Sequence, residues 1–544
     1  MAGLLSVCTK YLFRIFSLVL SISAISGCSY DDDVTLDSKS IIYCSEGVPE
    51  SFNPQTVTSG VTVDVTSNQL YNRLIGYDKN ERSIIPSLAK SWHVTKDGTK
   101  VTFYLRRDVH FHQTSDFTPT RVLNADDIIF SFNRILDPSH PYYLSASGKF
   151  PFFQSVKFSE LIDNIEKINE FTVRFNLTRA DSTLLANLAS DFAVILSKEY
   201  ADKLALTDEH ANIDINPVGT GPFKLKTYRA GSYIKYLPHE KYWGNKSTLE
   251  QLIFDITPSS YTRLTKLLAK ECDVISYPIA HEKIQQRPDL TLDGKTSFNI
   301  GYLGFNTRKP PLNNKIVRKA IAHAINKQAI LETVYFSQAD EASTIIPKPS
   351  WAYDESIQAP EYSIEKAKEL LTEAGLSNGF EMDLWAMPVQ RPYNPDARTM
   401  AKLIQADLAK VNIKVTIVPD YEWSKFLALL AQGRHQSVLL GWSADHPDPD
   451  NFFTPLLSCA STFTGNNRTF WCNEAFDKVI AKSLLTTDIK KRKSYYKEAL
   501  LILADEMPLI PIAHSKRFQA RKKVVQGDIL NAFGGIDFTN VSKN

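Results

Sequence analysis

Apolar positions along the chain recur with two different periods, and the period switches repeatedly from one stretch to the next. Residues 100–107 (KVTFYLRR) alternate apolar and polar side chains with β-branched and aromatic types, which predicts a strand. A loop follows, and then 125–136 (ADDIIFSFNRIL) takes up helical spacing. Ser363 stands where an N-cap belongs for a helix over 364–374 (IEKAKELLTEA), and Gly375 stands at its stop. Residues 313–335 (NNKIVRKAIAHAINKQAILETVY) keep apolar residues at helical spacing after an entry at Pro310-Pro311. Strand and helix patterns that alternate in this way predict mixed α/β lobes. His110 and His112 alternate with Val109 and Phe111, so both imidazoles share one face if this stretch is a strand.

The front end departs from this pattern. Lys10 and Arg14 precede an apolar run, IFSLVLSISAI, too short to span a bilayer comfortably, which is the layout of an export signal over 1–27. It ends in Ile25-Ser26-Gly27-Cys28, which resembles a bacterial lipoprotein cleavage box. Cys28 would then open the mature chain and carry the lipid; the other reading is an ordinary signal with a chance cysteine. Several acyl chains on one cysteine anchor stably where a single chain does not. Residues 28–40, with YDDDVTLDSKS, read as a tether lifting the body off the membrane. Removing Lys10 and Arg14 leaves 60 basic against 60 acidic residues. A neutral body has no global field to draw in nucleic acid or cationic peptides. The basic run Lys516–Lys523 reads as a solvated face. Six cysteines, less Cys8 in the leader and Cys28, leave four, an even number that suits two disulfides in an oxidising compartment. Four cysteines allow three pairings, and no two show the spacing of two to four that zinc prefers. No metal or other cofactor is expected.

Two stretches carry the candidate chemistry: VQRPYNPDAR, with Arg391, and GWSADHPDPDNF, with Asp445. A fixed cation and a fixed anion facing one cavity suit a ligand charged at both ends, as a free peptide is. Arginine offers a carboxylate two parallel charge-assisted hydrogen bonds, and aspartate is an acceptor-only group for an ammonium. The wording of these stretches resembles the dipeptide-binding branch of the periplasmic peptide-binding proteins that serve ABC importers. The likeness runs through CSEGVPESFNPQTVTSG, FTPTRVLNADDIIFSFNRI, PVGTGPF and YLGFNTRKPPLNN. SWAYD, LLSCA, WCNEAFD and MPLIPIAHSKRFQA lean toward the Sap branch, associated with peptide uptake and resistance to cationic antimicrobial peptides.

The resemblance implies an α/β, two-lobe periplasmic solute-binding fold of the large peptide-binding class with a hinge. One lobe would comprise 41–298 plus 518–544 and the other 299–517. It implies that Arg391 holds the ligand carboxylate with Pro392 and Tyr393 beside it. Trp442, Ser443 and Ala444 would line the approach to Asp445, which holds the amine. Thr58, in the first lobe, would touch the ligand backbone. It pairs Cys44 with Cys272 and Cys459 with Cys472. The implied partners are short peptides and an inner-membrane permease, for a monomeric, lipid-anchored periplasmic receptor. The branch favours Gly before the aspartate and Asn-Gly after it, where this chain has Ala444, His446 and Pro447, so the pocket is expected to differ in shape. Asp448 and Asp450 serve the turn or welcome a basic side chain. Sequestration of antimicrobial peptides and haem binding, the latter hinted at by His110 and His112, are the other readings. No enzyme is expected. Ser363-Ile364-Glu365-Lys366 matches a bare S-x-x-K without its companion motifs, and no H-E-x-x-H or G-x-S-x-G occurs.

Overall fold

A computed structural model describes residues 39–78, 83–464, 466–531, 533 and 535–544. The leader, Cys28 and nearly all of the 28–40 tether lie outside the described residues. Among the described residues no helix is long and apolar enough to cross a membrane.

The apolar side chains gather into two large clusters. One runs from Ile41 to Val274 and resumes from Val525 to Val541. The other runs from Phe298 to Ala513 and takes in Phe533. Each cluster is built on its own part of a sheet, and the strand Leu509–Lys522 belongs to both. Its first half pairs antiparallel with Asn299–Phe305, which pairs in turn with Ser437–Ser443. Its second half pairs with Leu290–Thr296 and Val274–Ser276, and Val274–Ser276 lies beside Ser40–Ser45. The result is an α/β molecule of two lobes with one strand running through both.

Local signals hold where the determinants are local. Asn124 and Asp127 form a capping box at the helix Ala125–Leu136. The Ser363 hydroxyl accepts from the Lys366 N–H at 3.1 Å, so Ser363 is a helix cap, and Gly375 takes the positive φ of a stop. Lys100–Leu105 is a strand. The helical spacing over 313–335 is interrupted, however. One helix ends at Ala324, and Asn326 caps a second, Lys327–Thr333, while giving its own N–H to Asp407 at 2.9 Å. The His110/His112 stretch is not a strand. His112 is buried, and its ring nitrogens meet the Gly219 N–H and the Gly221 carbonyl, so it clamps a loop. Nor is the basic run over 516–523 a solvated face. Arg517 is buried against Asp64, Arg521 pairs with Asp293, and Lys522 pairs with Asp273. Cys44 is bonded to Cys272 and Cys459 to Cys472.

Candidate functional site

The strand Phe380–Ala386 leads into the loop that carries Arg391. Arg391 and Asn394 exchange backbone hydrogen bonds at 3.1 and 3.0 Å, closing a tight turn around Pro392 and Tyr393. Proline at the second position presets the backbone for such a turn. Two carbonyls of the turn are tied to the lobe beneath: Pro392 accepts from the Ser515 hydroxyl at 2.6 Å and Tyr393 from the Tyr335 hydroxyl at 2.7 Å. The turn sits directly on the sheet where Gly301 and Gly441 face each other in register. A Cβ at Gly301 would stand 2.2 Å from the Tyr393 carbonyl oxygen, and one at Gly441 would stand 2.2 Å from the Tyr393 ring. These two glycines make room for the turn, and the turn aims Arg391.

The Arg391 guanidinium donates to the Gln390 carbonyl at 3.0 Å. Among the described residues no carboxylate lies within salt-bridge range of it, in contrast to Arg492 and Arg517. Burial raises the Tyr393 phenol, and the nearby Arg391 charge pulls it back. Tyr277, from the other lobe, feels the Arg391 charge as well. It follows the strand Val274–Ser276 with a positive φ of 43°, and no local sequence signal marks it.

Asp445 follows the strand Ser437–Ser443, whose end is fixed by the Ala444 N–H donating to the Phe298 carbonyl at 2.7 Å. Asn451, buried at the start of the helix Asp450–Leu457, organises this corner. Its Oδ1 accepts from the Asp445 N–H at 3.1 Å and from Trp442 Nε1 at 2.9 Å, and its Nδ2 reaches Asp445 Oδ2 at 3.5 Å. No cation is paired with Asp445 among the described residues. Burial pushes its carboxyl up to about 7; the Asn451 hydrogen bond pulls it down and Asp191 of the other lobe pushes it further up. An isolated buried carboxylate is expensive unless something positive joins it.

Asp448 has a partner already. Arg492 forks onto it at 2.7 and 2.9 Å and also donates to the Tyr496 hydroxyl, so Asp448 is not left over for a basic side chain of a ligand. Asp450 gives its N–H to Asp448 and accepts from Thr454, in keeping with a turn role. Of the other candidates, Trp442 packs partly buried against the second core, Ser443 is half-buried beside it, and Ala444 is buried. Thr58 lies exposed in the loop between the short turn Pro54–Thr56 and the helix Gly60–Thr66. Sequence reasoning missed Asn451, Asp191 and Tyr277.

Two lobes share a strand, and among the described residues Arg391 on its buttressed turn and the half-buried Asp445 pair with no opposite charge. The model of the bacterial extracellular solute-binding proteins, family 5, matches residues 83–464, and the chain belongs to that family, whose members are periplasmic transport proteins. It is 44% identical over 510 residues to the dipeptide-binding protein of Escherichia coli (strain K12), covering 93% of this chain and 95% of the relative. It is 41% identical over 504 residues to the peptide transport periplasmic protein SapA of Salmonella typhimurium, covering 92% and 91%. The dipeptide-binding protein of Pseudoalteromonas sp. SM9913, solved with Met-Leu bound, superposes with a TM-score of 0.88 at 46% identity, covering 93% of this chain and 100% of that one.

Proposed function

We propose that this protein is the substrate-binding component of an ABC importer, capturing short peptides by their two charged ends and delivering them to an inner-membrane permease. The observation that carries this reading is Asp445, a half-buried carboxylate with hydrogen bonds in place and no cation paired with it among the described residues. A peptide ammonium supplies the missing charge, and Arg391 supplies the fork for the carboxylate at the other end. Pro392 and Tyr393 flank that end, Trp442, Ser443 and Ala444 line the approach to the amine, and Thr58 meets the peptide backbone from the first lobe. The lobes divide as 41–298 plus 518–544 and 299–517. Cys28 carries the lipid that keeps the monomeric receptor at the membrane. No chemistry is performed on the peptide.

The test is calorimetric titration with Met-Leu, N-acetyl-Met-Leu and Met-Leu-amide. The free dipeptide should bind, and removing either terminal charge should cost at least about 30-fold in affinity, because an anchor enclosed when the lobes close then has no partner. Equal affinity for the free and end-capped forms would overturn the assignment of both anchors.

A further inference from the structure

His446 sits in the seam between the lobes, where the branch that this chain resembles favours asparagine. It is buried, and three groups surround its ring. Nδ1 lies 3.3 Å from the Asp448 backbone nitrogen, whose N–H points at it. Nε2 lies 3.2 Å from Oδ1 of Asn187 in the other lobe. The Asn187 amide is oriented by its Nδ2, which donates to the Thr183 hydroxyl at 3.2 Å and leaves its oxygen toward the imidazole. Asn451 Nδ2 stands 3.2 Å from the same Nε2, on the side that faces Asp445.

These partners fix the tautomer. Nδ1 accepts a hydrogen bond from a backbone N–H and cannot itself carry a proton, so the single ring proton is on Nε2 and goes to Asn187. An imidazolium would set two N–H groups against each other at Asp448. The same seam is closed a short distance away by the Ser182 N–H, which donates to the Leu484 carbonyl at 2.8 Å. We propose that His446 is a positioning residue that latches the lobes in the closed form through Asn187, and that it does so only as the neutral imidazole. The readout through peptide affinity rests on the peptide-receptor reading above; the latch itself does not.

The charged groups around the ring are accounted for from both sides. Burial pushes the imidazole down to about 4, against the pull of Asp448 and with a push from Arg492 on the neighbouring helix. Across the seam, Asp181 and Asp191 bracket the helix that carries Asn187; Asp448 helps to push the Asp181 carboxyl up, and Asp191 helps to push up that of Asp445. The sign follows from the lowered value. The closed form binds the His446 proton less well than the open form, so closure is fully supported above the ordinary histidine range and is weakened as pH falls from about 6.5.

The experiment uses the mature chain, with affinity for Met-Leu and small-angle scattering measured at pH 7.5 and 5.5. His446→Ala and Asn187→Ala should each weaken Met-Leu binding at pH 7.5 by about three- to tenfold, the scale of one hydrogen bond. The double variant should be no weaker than the weaker single, since both remove one contact. His446→Gln keeps a donor and removes the titration. It should bind like wild type at pH 7.5 and lose about tenfold less affinity than wild type on going to pH 5.5. Additive single effects, or a wild-type pH response in His446→Gln, would overturn the latch. If the wild-type chain does not bind Met-Leu at all, the peptide reading fails instead. Scattering of the ligand-free chain then decides the latch: wild type should open at pH 5.5 and His446→Gln should not, and equal behaviour sinks it.

Discussion

At the scale of single residues the proposed function turns on Arg391 and Asp445, which pair with no opposite charge among the described residues. With no cation beside it among the described residues, the Asp445 carboxyl is pushed up to about 7, because its surroundings disfavour the anion. A peptide ammonium favours the anion, so binding should expel that proton wherever the Asp445 carboxyl is protonated. Affinity should then fall by up to about tenfold per pH unit below pH 7, and heats measured in buffers of different ionisation enthalpy should report proton release. Asp445→Asn should remove that part of the slope. Asp445→Ala and Arg391→Ala should each weaken peptide binding by about 2–5 kcal/mol, roughly 30-fold to several thousand-fold. Unchanged affinity in either variant would remove that residue from the site. Arg391 and Asp445 were legible in the sequence because their surroundings have recognisable wording. Asn451 and His446 were not, because their roles depend on what stands opposite: the Asp445 backbone for one, Asn187 in the other lobe for the other.

At the scale of elements, what positions the charges is the close stacking of a turn on a sheet. Gly441 leaves the space that the Tyr393 ring occupies, and Gly301 leaves the space for the Tyr393 carbonyl. Gly441→Ala would place its Cβ 2.2 Å from the ring and 2.4 Å from the Ile300 carbonyl oxygen, so the turn or the strand must shift. Overpacking of this kind costs about 1–3 kcal/mol of stability. The sharper expectation concerns binding: a turn displaced from the sheet misaims Arg391, and affinity for a free dipeptide should drop while affinity for a C-amidated one, which does not use Arg391, changes far less. Equal losses for the two peptides would mean that the glycine matters only for packing. The elements legible in the sequence were those with their determinants close at hand, such as the helices capped by Asn124 and Ser363. The break at Asn326 was hidden because a distant carboxylate, Asp407, completes the cap. The loop role of His112 was hidden because its partners, Gly219 and Gly221, are far along the chain.

At the scale of the whole molecule, two lobes must each stay rigid while they move against one another, and the disulfides bear on that unequally. Composition and cysteine count made two disulfides legible, but the pairing came through resemblance, since nothing in the spacing joins Cys44 to Cys272. The structure places Cys44 on the strand Ser40–Ser45, opposite Ile275, with Cys272 two residues before the neighbouring strand Val274–Ser276. That bridge spans 228 positions of sequence, whereas Cys459–Cys472 spans 13. A cross-link acts mainly by limiting the unfolded chain, and its effect grows with the logarithm of the loop it closes. The expected contributions are about 5 kcal/mol for the long loop and about 3 kcal/mol for the short one. Both cysteines of the long bridge are buried in a small apolar cluster with Leu267 and Ile284, so the paired Cys44→Ala, Cys272→Ala variant adds a cavity cost to the lost cross-link. Denaturant unfolding should therefore show this variant losing more stability than the Cys459→Ala, Cys472→Ala pair. The two bridges also sit in different lobes, so the long one should shift the unfolding of the first lobe and leave the Arg391 and Asp445 corner of the second intact until that lobe itself unfolds. An equal loss from the two variants would mean that the unfolded chain is already restrained over the long loop, and that the first lobe is held by its apolar cluster more than by its bridge.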